Sequence, residues 1–137
     1  MPIDTVEALS RVPLLSGLDR KELRRLAGVF AERAFAAGDV VVKQGDERGI
    51  GFFVIIEGTA RVSANGSDVA VLGPGDHFGE IALLGDRIRT ATVTADADLQ
   101  TLVTTVWDFR AFVKNNPDTA WKLLEHLAGL LAERAPV

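Results

Sequence analysis

The chain has 137 residues, 47% apolar and 25% charged, enough for one domain with a real core, too few for two ordinary ones, and unlike the composition of a disordered segment. It contains no cysteine, which excludes a disulfide framework, a thiolate metal site and a cysteine nucleophile. A net charge of −4 argues against a surface built to neutralise nucleic-acid phosphates. No apolar run reaches the roughly 18 residues of a membrane span, and the first residues lack a basic, then apolar leader. The expectation is a cytoplasmic protein with neither a membrane nor a nucleic acid as direct partner.

In chain order, Val6 and Leu9 form one short apolar helical face, and Leu23, Leu26, Ala27 and Phe30 form a second. Asp19 is placed to N-cap the second helix, and Glu22 three residues later completes a capping box. The dense basic cluster Arg20, Lys21, Arg24 and Arg25 is interleaved with these positions and reads as a solvated helix face. The apolar turn at 13–18 joins the two helices, and residues 1–36 are assigned to an N-terminal helical segment.

From Ala37 glycines recur at short intervals, which breaks the chain into β-rich runs. Strands are expected at 40–43, 52–57, 59–64, 69–72, 91–95 and 99–106, and Asn65-Gly66 signals a two-residue type I′ hairpin because both central residues need positive φ. Residues 37–106 thus suit a compact all-β barrel or roll. Helical spacing returns at 108–114 and again from Thr119 to about Arg134, where Trp121, Leu124, Leu127, Ala128 and Leu131 make an apolar stripe. Residues 107–135 are the C-terminal helical segment. The fold class is mainly β with flanking helices, in one domain over 1–137.

The run 78–92, Phe-Gly-Glu-Ile-Ala-Leu-Leu-Gly-Asp-Arg-Ile-Arg-Thr-Ala-Thr, combines parts that suit an anionic sugar. Gly79 permits close backbone approach. A short helix beginning at Glu80 would aim unpaired N–H groups at an anion. Arg89 carries a planar guanidinium able to bond two phosphate oxygens at once. A carboxylate beside a phosphate needs a donor to face, so Glu80 is assigned to a ribose hydroxyl.

These residues resemble the phosphate-binding cassette of cyclic-nucleotide-binding domains, whose pattern runs Phe-Gly-Glu-(Leu/Ile)-Ala-Leu, a short loop, then Arg-(Ala/Ser/Thr)-Ala-Thr. The resemblance extends upstream through 37–46, 53–58 and 73–76. It implies an eight-stranded, jelly-roll-like β-roll with N-terminal helices and C-terminal lid helices. It also implies that Glu80 accepts the ribose 2′-OH, that Arg89 pairs the cyclic phosphate, and that Gly79, Ile81, Ala82 and Thr90 complete the phosphate site. Arg87 falls outside the motif and reads as a solvated loop residue, and Ile88 stands where the family often has Pro.

Thr90 is also the residue that bears on the base: many cAMP-binding members of the family have Ala or Ser there, and cGMP-selective ones often have Thr. The resemblance implies cAMP over cGMP only because bacterial and channel-type members most often use cAMP. Val62 and Leu72 are the candidate wall for the base, and Leu127, Leu130 and Leu131 the candidate lid, each of them equally readable as ordinary core. Trp121 reads as a helix-packing residue rather than a stacking platform.

The resemblance implies a stand-alone, non-catalytic sensor with cAMP, or cGMP, as ligand and no cofactor, which signals to a separate effector protein. The rival is a domain of the same fold that no longer binds nucleotide and acts through protein contacts. A cupin-type metal enzyme is disfavoured because His77 and Glu80 lack the second histidine that such a site needs, and His126 lies in the final helix. No metal site is expected.

Overall fold

The computed structural model describes residues 4–45, 51–79 and 91–134. Helix α1 (Thr5–Ser10), a 3₁₀ turn (Pro13–Leu15) and α2 (Arg20–Ala27) lead into the strands. The strands are β1 (Ala31–Phe35), β2 (Val40–Val42), β3 (Gly51–Glu57), β4 (Ala60–Ala64), β5 (Ser67–Leu72), β6 (His77–Phe78), β7 (Thr92–Ala95) and β8 (Leu99–Thr105). Helices α3 (Val106–Asn115) and α4 (Pro117–Arg134) follow. The strands form two antiparallel four-stranded sheets, ordered β1-β8-β3-β6 and β2-β7-β4-β5. Among the described residues no helix is long and apolar enough to cross a membrane.

Strand β3 explains how the two layers are held together. Phe52 and Val54 belong to a core shared with Leu9, Leu23, Leu26, Leu102 and Phe112, whereas Phe53 and Ile55 belong to a second core with Ala60, Phe78, Val93 and Leu99. Alternate residues of one strand therefore serve the helices on one face and the roll interior on the other, which is why 52–56 reads as an unbroken apolar run. The Asn65-Gly66 hairpin has the expected positive φ at both residues, 53° and 80°, and joins Ala64 to Ser67 in register.

Two strands depart from the sequence reading. Residues 31–35, assigned to the N-terminal helices, form β1, and helix α2 ends at Ala27, before Phe30. Strand β1 is an edge strand with four exposed residues, so it carries no alternating apolar pattern to announce it. Strand β6 has only two residues.

Thr104 on β8 is 1% exposed, and its hydroxyl has no hydrogen-bond partner among the described residues. Its neighbour Thr101 donates to the Arg33 carbonyl at 2.8 Å. Replacing the unpaired hydroxyl by a methyl removes a desolvated polar group at nearly constant volume, so Thr104→Val is expected to stabilise the fold by about 1 kcal/mol. Urea unfolding checks this, and a loss of stability would show that the hydroxyl is satisfied.

Candidate functional site

The three turns that pass between the sheets gather at one end of the roll. Gly38 N–H donates to the Ala95 carbonyl, Ala95 N–H to the Asp39 carbonyl and Asp96 N–H to the Thr59 carbonyl, at 2.7 to 2.9 Å. The Asp98 carboxylate accepts from Ala37 N–H at 3.0 Å. This end is closed by backbone and side-chain bonds that do not involve the cassette.

The ends of the cassette lie elsewhere, one on each sheet. Phe78 is paired with Phe53 in the first sheet and stacks on its ring, centroids 4.9 Å apart and planes 11° apart. Gly79 follows with φ 87°, a left-handed conformation that side chains rarely adopt. On the second sheet Thr92 pairs with Ser63 at the start of β7, and its hydroxyl accepts from Gln44 N–H at 2.9 Å. The Gln44 side chain exchanges two further bonds of 2.9 Å with Asn65, which ties the end of β2 to the β4–β5 hairpin. Strand pairing on one side and the Gln44 bonds on the other thus fix where the segment leaves and where it returns. Gln44 was not singled out from the sequence, because its partners are 21 and 48 residues away.

Glu80, Ile81, Ala82, Arg89 and Thr90 lie outside the described residues, as do the side chains of Leu130 and Leu131. Val62 and Leu72 are brought together, both half-buried against the core inside the roll. Val62 faces Val93 across β4 and β7, and Leu72 faces Ala60. Leu127 is half-buried on α4, a helix that packs on the 3₁₀ turn and on α3.

That docking of α4 rests on a buried carboxylate. Glu22, 7% exposed, keeps the capping-box bond to Asp19 N–H at 3.1 Å while accepting from the Thr119 hydroxyl at 2.9 Å and the Lys122 ammonium at 2.7 Å. The Lys122 bond first, then the Asp19 backbone bond, hold the Glu22 carboxyl at about 2, against the burial that opposes them. Lys122 is raised in turn, chiefly by the same bond. Leu123 adds an apolar anchor in the first core.

Trp121, expected to pack against the fold, is instead 63% exposed, and Leu124 is 55% exposed. The helix is apolar on most of its circumference, so spacing alone does not say which stripe turns inward. Thr119, 2% exposed, and its bond to Glu22 set the phase.

Comparison with known proteins agrees with this frame. The family model described as "Cyclic nucleotide-binding domain" matches residues 32–116. The chain belongs to the cyclic nucleotide-binding domain family. Over 93 residues the domain is 41% identical to the cAMP-dependent protein kinase regulatory subunit of Schizosaccharomyces pombe, covering 67% of this chain and 22% of that protein. It spans at most about a quarter of the length of the curated relatives it matches. The N-terminal domain of a transcriptional regulator from Streptomyces coelicolor superposes with a TM-score of 0.87 at 28% identity, covering 95% of this chain and 96% of that one. The catabolite activator protein of Thermus thermophilus gives 0.75 at 31% identity, covering 89% and 57%. The eight described strands in two sheets with flanking helices match the fold expected from the cassette.

Proposed function

We propose that the domain is a non-catalytic cytoplasmic sensor that binds cAMP and reports it to a separate effector protein through movement of α4. The observation that carries this reading is the pair of fixed cassette ends, Gly79 with its left-handed φ and Thr92 with its bond to Gln44, bracketing a sequence that retains both Glu80 and Arg89. Glu80 takes the ribose 2′-OH and Arg89 the cyclic phosphate. The backbone at Gly79, Ile81 and Ala82 and the Thr90 hydroxyl complete the phosphate site. Val62 and Leu72 offer the base an apolar wall. The leucines of α4, Leu127, Leu130 and Leu131, form the lid in the closed state. The relatives named as regulatory subunits of a cAMP-dependent kinase support cAMP over cGMP.

The mechanism is a population shift: the ligand favours whichever placement of α4 covers the base, by the difference in its affinity for the two placements. Arg89→Ala removes a charge-assisted pair worth roughly 1.5 to 3 kcal/mol, so cAMP affinity is expected to fall by about ten- to over a hundredfold. Calorimetric titration with cAMP and cGMP measures this. Absence of binding by the unmodified chain to either nucleotide at millimolar concentration would overturn the sensor reading and favour a domain that works through protein contacts alone. Unchanged discrimination between ribose and 2′-deoxyribose ligands in Glu80→Gln would remove the role given to Glu80.

A further inference from the structure

From the charge distribution on α2 we infer a docking surface for an acidic peptide segment of a partner protein. Helix α2 has two unlike sides. Glu22, Leu23 and Leu26 are buried, while Arg20, Lys21, Arg24 and Arg25 are all exposed. At 100° per residue the four cations fall within less than half of the helix circumference. The nearby carboxylate of Glu22 is already engaged on the inner side by Asp19, Thr119 and Lys122. None of the four basic side chains makes an ion pair among the described residues.

This arrangement works against the helix that carries it. Both exposed i,i+4 pairs, Arg20 with Arg24 and Lys21 with Arg25, are like-charged, where an acidic residue at the first position would stabilise the helix. Arg24 and Arg25 in the last turn suit the helix dipole, but Arg20 and Lys21 stand in the first turn, at its positive end. The one bond these side chains make among the described residues runs from Arg24 Nε to the Arg20 carbonyl at 3.4 Å and leaves both like-charged pairs unneutralised. A local rule broken twice on one face, with no ion pair to offset it there, points to a group supplied from outside.

The ligand chemistry follows from size and charge. The two rows of cations repeat at about 6 Å along the axis, which matches carboxylates four apart on a helix or two apart on a strand, at roughly 6.5 Å. A net charge of −4 disfavours approach to an extended polyanion such as nucleic acid or an anionic membrane, and a two-turn patch neutralises few phosphates. A short acidic segment meets the local field without facing the rest of the surface. The surface supplies a partner class for the sensor but does not depend on nucleotide binding.

The test is fluorescence anisotropy of the full chain with a short labelled peptide carrying glutamates in i,i+4 pairs, beside its all-glutamine counterpart. The glutamate peptide is expected to bind, more weakly as salt rises from about 50 to about 300 mM, and the glutamine peptide not to bind. The double variant Arg20→Glu/Lys21→Glu is expected to lose at least tenfold in peptide affinity with a thermal midpoint no lower than that of the unmodified chain, because its new carboxylates stand four residues before Arg24 and Arg25. Equal binding of both peptides, retained binding by the variant, or a lowered midpoint would each overturn the inference. Tighter binding to a single-stranded oligonucleotide or to phosphatidylserine vesicles would also overturn it. The cAMP titration repeated on the double variant is expected to match the unmodified chain, so failure here and failure of the sensor reading give different patterns.

Discussion

Gly58→Ala is expected to destabilise the fold by about 3 to 5 kcal/mol, because of the described glycines it is the one whose added carbon would meet backbone closer than 3 Å. Gly58 has φ +90°, and a Cβ there would overlap the backbone carbonyl oxygen of Asp98. Backbone cannot swing aside as a flexible side chain can. Moving Asp98 would disturb its bond to Ala37 N–H and the start of β8, whose Leu99 is 1% exposed in the core of the roll. Gly66→Ala is the matched control: φ there is +80°, but nothing lies within 4 Å of the added carbon, so only the conformational penalty of about 1 kcal/mol applies. Urea unfolding of both variants separates close approach from backbone conformation. Equal losses would mean that the Asp98 carbonyl yields and that the closed end of the roll is softer than its bonding implies.

The same contrast explains what the sequence made legible. Features set by a few adjacent residues were readable. The Asp19–Glu22 capping box is formed in both directions, at 2.8 and 3.1 Å, the Asn65-Gly66 turn has the φ values its residues favour, and β3 declares itself because both its faces are buried. Features that depend on distant partners were not. Strand β1 is defined by its pairing with β8, some 70 residues on, rather than by its own exposed residues. Which side of α4 turns inward depends on Glu22, about 100 residues earlier. The cassette motif was the most legible feature of all, since its residues are contiguous. The bonds from Gln44 to Thr92 and Asn65 that brace its return had no local signal.

Glu22→Ala is expected to lower stability by about 2 to 4 kcal/mol, more than its place in a two-turn helix would imply. The change leaves the Thr119 hydroxyl, on a residue 2% exposed, without its acceptor, removes the charged partner of Lys122 and opens the capping box at Asp19. Glu22→Gln isolates the charge. Because the folded carboxyl sits at about 2 instead of the ordinary 4.5, the unfolded chain binds the extra proton between those values. The stabilisation is therefore complete above about pH 4.5 and is lost as pH falls towards 2. The full difference corresponds to roughly 3 kcal/mol, and because the Lys122 side chain is 46% exposed, screening by solvent reduces the expected loss to about 1 to 2 kcal/mol. Urea midpoints measured from pH 5 to pH 2.5 are expected to converge for the unmodified chain and Glu22→Gln, and parallel curves would remove Glu22 as the source. On the proposed sensor reading, the link also bears on how nucleotide binding would be reported to an effector. If closure over the nucleotide carries α4 away from α2, the Glu22 bonds oppose the ligand, and Glu22→Gln tightens cAMP binding by about tenfold for each 1.4 kcal/mol released. If affinity is unchanged while the acid dependence disappears, α4 keeps its dock on α2 in both states, and the movement reported to the effector lies beyond Lys122, in the part of the helix that carries Leu127, Leu130 and Leu131.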